Sequence, residues 1–376
     1  MKNALLSTLL ATSAQLCLHA DNNPANPNRI DYLEATVNDL KKQVATLKEE
    51  VKDNGIPPTA SPLLNGGCDA FVTGDFLYWK ANESDLAYVL RAKIEDTALE
   101  LPGNGNLVTP NFGWDPGFRV GLGWRTNHDD WDLYLTWTRI HTAAHSHRHT
   151  GNGQNLFPTL ASAPFAASIC DSASTHLHIH LNAIDIEVGR QFFVGKYLSL
   201  RPHFGFENIW ISQHYNTKYE GLPLQESAFE EIRFRNNFWG FGIRSGMDTQ
   251  WDMRWGFSLF GDIAFALLYG EFDLKRTSKH NYSFAGNPLI GNTHIDEKPL
   301  LARVAMELAF GLKWDTMFAH DRFHFGIQAG WEEHFYFGQN QMYNFFDEPG
   351  SAHGKEVSAN GDLSFQGLTI SARLDF

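Results

Sequence analysis

From Phe71 onward, apolar and polar positions alternate along the chain. In 300–314, Leu300, Ala302, Val304, Met306, Leu308, Phe310, Leu312 and Trp314 share one side of an extended chain, and Leu301, Arg303, Ala305, Glu307 and Lys313 share the other. A helical period would mix these two sets, so the pattern predicts a strand between an apolar medium and water. The same period recurs in Phe118, Val120, Leu122 and Trp124 against Arg119 and Arg125, and in Trp131, Leu133, Leu135 and Trp137 against Asp132, Tyr134 and Thr136. It returns in Leu198, Leu200, Phe204 and Phe206 against Arg201, His203 and Glu207, and in Trp239, Phe241 and Ile243 against Gly240, Gly242 and Arg244. Several apolar faces end in Trp, as an interfacial aromatic girdle would.

Ten strands are predicted, near 70–80, 116–125, 131–140, 176–190, 197–210, 237–247, 255–271, 299–314, 321–336 and 364–376. The connections 126–130, 193–196, 248–254 and 315–320 are tight. Those at 81–115, 141–175, 211–236, 273–298 and 337–363 are long and polar. Short turns belong to the periplasmic side of an outer-membrane barrel and long loops to the outside. The fold class expected is all-β, a transmembrane antiparallel β-barrel over 69–376. Hairpins within the long loops, with Leu86, Tyr88 and Leu90 as one candidate, would raise the count to 12, 14 or 16.

Before residue 69 the period differs. Met1 to Ala20 reads as a secretory signal peptide, with Lys2 ahead of an apolar run from Ala4 to Leu18. Ile30, Leu33, Val37, Leu40, Val44, Leu47 and Val51 then follow a 3, 4, 3, 4 spacing, the seam of a short coiled-coil helix over 28–52. Such a stripe predicts self-association into a homo-oligomer of unspecified number; a single amphipathic helix lying on the body of the protein is the alternative. Residues 53–68, with Pro57, Pro58 and Pro62, read as a linker.

Composition narrows the classes. With 30 basic and 43 acidic side chains the net charge is −13, which excludes a nucleic-acid partner. No apolar run reaches the about 18 residues of a membrane helix. Aromatic residues nevertheless make up 14% of the chain, with 32 glycines, at a mean hydropathy of −0.32. A barrel reconciles these values, because its apolar outer face and polar lumen cancel in the average.

The final strand alternates Leu368, Ile370, Ala372, Leu374 and Phe376 with Thr369, Ser371, Arg373 and Asp375, and the sequence stops on Phe376. This resembles the assembly signal of Gram-negative outer-membrane barrels, which implies the barrel-assembly machinery and outer-membrane lipid as partners. Gly74–Lys80, Ile184–Arg190, Leu198–Pro202, Phe238–Arg244, Gly330–Glu333 and Asp362–Leu368 resemble, in order, the MOMP-like pore-forming outer-membrane proteins of Legionella and chlamydia-related bacteria. The resemblance implies a porin passing ions and small hydrophilic solutes by passive diffusion. A plugged surface or adhesive protein is the alternative, and an omptin-like surface protease a more distant one.

The candidate lumen residues are Arg119, Asp132, Asp185, Glu187, Arg201, Glu207, Arg244, Asp262, Arg303, Glu307, Glu332 and Arg373. Such residues either set ion selectivity or pair with one another to fill the interior. Their slight acidic excess predicts weak cation preference. His176, His178 and His180 share one face and are weak metal candidates, otherwise read as a polar lumen face. Gly240 and Gly242 are expected to relieve crowding in the wall. No phosphate loop, nucleotide fingerprint, zincin helix or nucleophile elbow occurs, so neither an enzyme nor a cofactor is expected. With Cys17 in the leader, Cys68 at the periplasmic rim and Cys170 outside, no disulfide within one chain is expected.

Overall fold

The computed structural model describes residues 36–37, 39–42, 59–62, 64, 69–93, 104–126, 129–151, 153–161, 169–222, 225–284, 287–347, 354–358 and 360–376. The chain divides into two units, Met1–Pro58 and Thr59–Phe376. In the first, residues 36–37 and 39–42 are helical, with Val37 and Leu40 exposed. The expected leader at 1–20, the remaining seam positions Ile30, Leu33, Val44, Leu47 and Val51, and Cys68 lie outside the described residues. Among the described residues no helix is long and apolar enough to cross a membrane.

The second unit is a closed ten-stranded antiparallel barrel. Its strands are β1 (Ala70–Glu83), β2 (Asp115–Arg125), β3 (Trp131–His149), β4 (Ser172–Arg190), β5 (Leu198–Leu222), β6 (Gln225–Asp252), β7 (Phe257–Phe284), β8 (Leu300–Phe318), β9 (Phe323–Asn340) and β10 (Gly361–Asp375). Each pairs with the next in sequence, and β10 pairs back with β1 from Phe71↔Asp375 to Glu83↔Leu363. Backbone bonds between Ala70 and Phe376, at 3.0 and 3.2 Å, end that seam. Closure satisfies every edge, which a lipid-embedded sheet requires.

Side chains alternate across the wall as the sequence pattern demands. Outside lies an apolar band bounded on one side by Trp124, Trp131, Trp251, Phe257, Phe318 and Phe323, and on the other by Tyr78, Trp137, Trp210, Trp239, Tyr269 and Trp331. These two rings are where a bilayer's interfaces would lie. The connections at the first ring are short, and in two of them Asp129, Asp130, His320 and Asp321 take φ between 56° and 61°. Paired positive φ values suit tight hairpins whose twist matches the strands. At Gly242 a β-carbon would run into the carbonyl of Leu267, so glycine here allows close approach of β6 and β7.

Two loop expectations are corrected. The segment 211–236, read as a long polar loop, is almost entirely strand. β5 and β6 run on from Trp210 and Trp239 with unbroken register to Glu220↔Phe229. Likewise, of 273–298, the residues to Phe284 continue β7, and Asn287–Glu297 folds back along it. Above the lipid band the outward face is polar, and the inward face mixes Tyr215, Ile232 and Phe234 with buried Gln213, Glu230 and Asn236, so the wall faces water on its outside there. That reversal removed the hydropathy signal on which the loop reading rested. The Leu86–Leu90 candidate adds no barrel strand; Val89–Ala92 pairs instead with Gly105–Val108 and Asn155–Pro158 in a small separate sheet.

Candidate functional site

The barrel interior is the chemically distinctive part of the molecule, and its inward side chains change character from the short-turn end upward. At the rim, Asp375 accepts Arg125 (3.0 Å) and Arg373 (2.8 Å) and contacts His324 at 2.7 Å. Arg125 also donates to the carbonyl of Pro62, which ties the segment entering the barrel to its rim.

Above this lies a charged layer. Arg201 on β5 contacts Asp132 on β3 (2.6 Å), Glu187 on β4 (2.8 Å) and Asp248 on β6 (2.8 Å). Arg244 on β6 reaches Glu307 on β8 (2.7 Å) and Glu207 on β5 (3.5 Å). His334 on β9 bridges Glu307 and Glu332 at 3.4 and 3.2 Å, and Arg119 on β2 contacts Glu332 (3.0 Å) and Asp75 on β1 (3.2 Å). Asp185 accepts Thr136 at 3.1 Å beside this chain of ions. Strands that are not neighbours are thereby joined across the interior. A cavity of about 260 Å³ remains, and Asp262 lines it. Charges so withdrawn from water hold together only while each keeps its partners.

The next layer is aromatic. Trp79 packs against His334 (4.6 Å between centroids) and Phe365 (6.4 Å), and Phe238 against Phe272 (4.5 Å). A polar strut follows: Gln213 donates to Glu83 at 2.8 Å, and Asn236 donates to Gln213 at 2.6 Å and to the carbonyl of Gln339 at 2.9 Å, all of it buried. Above it sits chain from the first outer connection. Leu86, Tyr88 and Val89 are buried inside the upper wall. Tyr215 donates to the carbonyl of Leu86 at 2.9 Å, Tyr219 donates to that of Tyr88, and Tyr88 donates to Ser146 at 2.9 Å. From the second outer connection, Thr159 donates to the carbonyl of Ala87 (2.7 Å), and Arg276 donates to that of Leu160 (2.9 Å).

All twelve residues singled out as lumen candidates point inward. Arg119, Asp132, Glu187, Arg201, Glu207, Arg244, Glu307 and Glu332 belong to one ionic layer, with Asp185 and Asp262 beside it. Two stand apart: Arg373 lies at the rim, over the ring of Phe71 at 3.7 Å, and Arg303 lies higher, over the ring of Phe272 at 5.2 Å.

Sequence reasoning did not single out Asp75, His203, His334 or Asp248. The alternation alone marks Asp75, His203 and His334 as inward, whereas Asp248 falls in a stretch read as a turn. His203 sits between Glu187 (2.8 Å) and Asp248 (3.3 Å).

The histidine expectation is corrected. His176, His178 and His180 point out of the barrel and are exposed, and Leu177, Ile179 and Leu181 point inward. These positions lie above the lipid band, where the inside is the dry side. Among the described residues no group of three or more His, Cys, Asp or Glu is placed to hold a metal ion. Cys170, whose backbone pairs with Leu156, is a free and buried thiol; burial pushes its pKa up to about 12.

No curated protein matches the chain. Among solved structures it is similar to the outer membrane protease OmpT of Escherichia coli, at 9% identity over 84% of this chain and 99% of that one, with a TM-score of 0.34. It is also similar to Ail, the attachment invasion locus protein of Yersinia pestis, at 9% identity, 82% and 97% coverage, TM-score 0.22. A Pseudomonas aeruginosa FadL homologue is similar at 8% identity, 82% and 89% coverage, TM-score 0.23. The family model described as Legionella pneumophila major outer membrane protein precursor matches residues 65–376, the barrel and its lead-in. The chain is thus an outer-membrane β-barrel protein of Gram-negative cells and belongs to the Legionella major outer membrane protein family.

Proposed function

We propose that this protein is a barrel closed across its lumen, which serves the cell surface through its projecting wall and loops rather than as an open diffusion pore. The observation that carries this reading is the buried stack of Trp79, Phe365 and the Glu83–Gln213–Asn236 strut, capped by Leu86–Val89. An ion crossing that stack would be stripped of water among aromatic rings, at a cost far above thermal energy. The extensions of β5, β6 and β7 past Trp210, Trp239 and Tyr269 give the surface role a built platform. Self-association through the 28–52 helix belongs to this reading, and neither catalysis nor a cofactor does.

One observation favours a second reading, a gated porin: the charged cavity of about 260 Å³ within the lipid-embedded half. Displacing the Leu86–Val89 segment would join it to the outside. Full-length protein in a planar bilayer separates the two. Silence at moderate voltage, with no stepwise current, is expected of the closed barrel. Steady stepwise current would overturn it in favour of the porin, for which weak cation preference is expected.

A further inference from the structure

A basic stripe runs around one side of the barrel immediately above the outer aromatic ring. Its position follows from register. Arg139 and Trp210 flank Asn182 on either side, and Trp210 pairs with Trp239, so Arg139 on β3 shares a row of paired residues with two members of the aromatic ring on β5 and β6, while Trp137 lies one same-face step lower, opposite Ile184. One step higher, His141 pairs with His180, which pairs with Ser212. The next row holds His178, His214, Arg235 and Lys275, each paired across to the next on β4, β5, β6 and β7. Adjacent strands lie about 4.8 Å apart, so the row spans the width of a lipid headgroup cluster. Arg139 lies beside Asn182, at the foot of the stripe.

These side chains face outward and are exposed or half-buried. The Nδ1 atoms of His141 and His180 lie 3.0 Å apart, a hydrogen bond in which either ring can be the donor. The His178 ring stacks on His141 at 6.0 Å. The carboxylates facing the stripe are engaged elsewhere or stand at its margin. Asp273 on β7 holds Lys275 (3.2 Å) and Lys298 (3.9 Å), Glu231 on β6 holds Arg233 (2.7 Å), and Glu271 pairs across to Trp239, in the aromatic ring itself. No ion pair forms at Arg139 or Arg235 among the described residues. A water-facing wall of otherwise mixed charge has therefore gathered cations at the one height where lipid headgroups meet protein.

We propose that this stripe, built on Arg139, His141, His178, His180, His214 and Arg235, binds the phosphate-bearing headgroup of outer-leaflet lipid. Two fixed guanidiniums supply bidentate phosphate contacts, and His180 and His214, held below the ordinary imidazole value by burial and by neighbouring His141 and Arg235, add charge only at acidic pH. Charge complementarity and the height of the stripe together select lipid as the occupant.

The test uses the full chain refolded in neutral detergent and titrated with fluorescent lipid A at pH 7.5 and 5.5. Binding about tenfold tighter at pH 5.5 is expected, as the added histidine charges would give at low salt. Lipid A stripped of its phosphates should bind weakly at both pH values. A variant combining Arg139→Gln, Arg235→Gln, His178→Asn, His180→Asn and His214→Asn should lose both the affinity and the pH dependence, while keeping the heat-modifiable migration of a folded barrel. Arg235→Gln alone, a milder change, should weaken binding several-fold. Equal binding of phosphate-free lipid, or an unchanged pH dependence in the combined variant, would overturn the proposal. So would complete displacement of lipid A by low-millimolar inorganic phosphate, which would make the stripe a site for free phosphate.

Discussion

The Tyr215 hydroxyl donates to the backbone carbonyl of Leu86 at 2.9 Å, holding the first outer connection inside the wall of β5. Tyr215→Phe keeps the ring and removes the donor, leaving a buried carbonyl unsatisfied at a cost of about 1–3 kcal/mol. Cleavage within 84–92 of the folded protein should accelerate, as followed by limited proteolysis and mass spectrometry. Unaltered cleavage would mean that other contacts hold the segment in place.

Arg201 touches three carboxylates at 2.6 to 2.8 Å. In Arg201→Met, Asp132 and Glu187 become buried charges short of a partner, and a loss of about 3–5 kcal/mol is expected. Asp248→Asn should cost much less, because that side chain is 35% exposed and Arg201 retains two acids. Urea unfolding in lipid vesicles orders the two variants, and equal midpoints would contradict the ionic-layer account.

Unheated detergent samples should migrate differently from boiled ones, because every strand of the closed wall is paired and the barrel opens only when many bonds fail together. Identical migration before and after boiling would count against closure.

The Cys170 thiol, pushed up to about 12 and buried, should resist maleimide at pH 8 in the folded protein and react after unfolding. Peptide mapping reads the site directly. Rapid labelling of the native protein would place that thiol at the surface.

Replacing Leu33, Leu40 and Leu47 by Ser should reduce cross-linked oligomers and leave the heat shift intact, since the seam lies outside the barrel unit. Cross-linking as strong as in the parent would assign the helix to the alternative amphipathic role.

Much of this architecture was legible where lipid supplied the contrast. Alternation against an apolar medium located ten strands and oriented Arg119, Glu187, Arg244 and Glu307 inward. Above the band the medium changes, and the same strand carries His178 outside and Leu177 inside. Period two persists, but its sign reverses, so 211–236 read as loop and the histidines as lumen. The inward course of Leu86–Val89 was out of reach for another reason. Tyr88, Tyr215 and Glu83 come together by folding of a connection into the wall, and no local spacing encodes that return. Asp248 was lost at a strand end, where the length of the turn was overread by a few residues.

The seam between β1 and β10 joins the two ends of the barrel sequence, with Phe71 opposite Asp375. Every other strand pair is local, a hairpin with its neighbour, and can form early at little entropic cost. The closing pair is the most distant contact in the barrel and carries the largest loop-closure penalty. Folding should therefore run through a curled, open sheet whose two free edges are both sticky. The rate at which those edges find each other, ahead of another chain's, sets the yield of correctly inserted barrels.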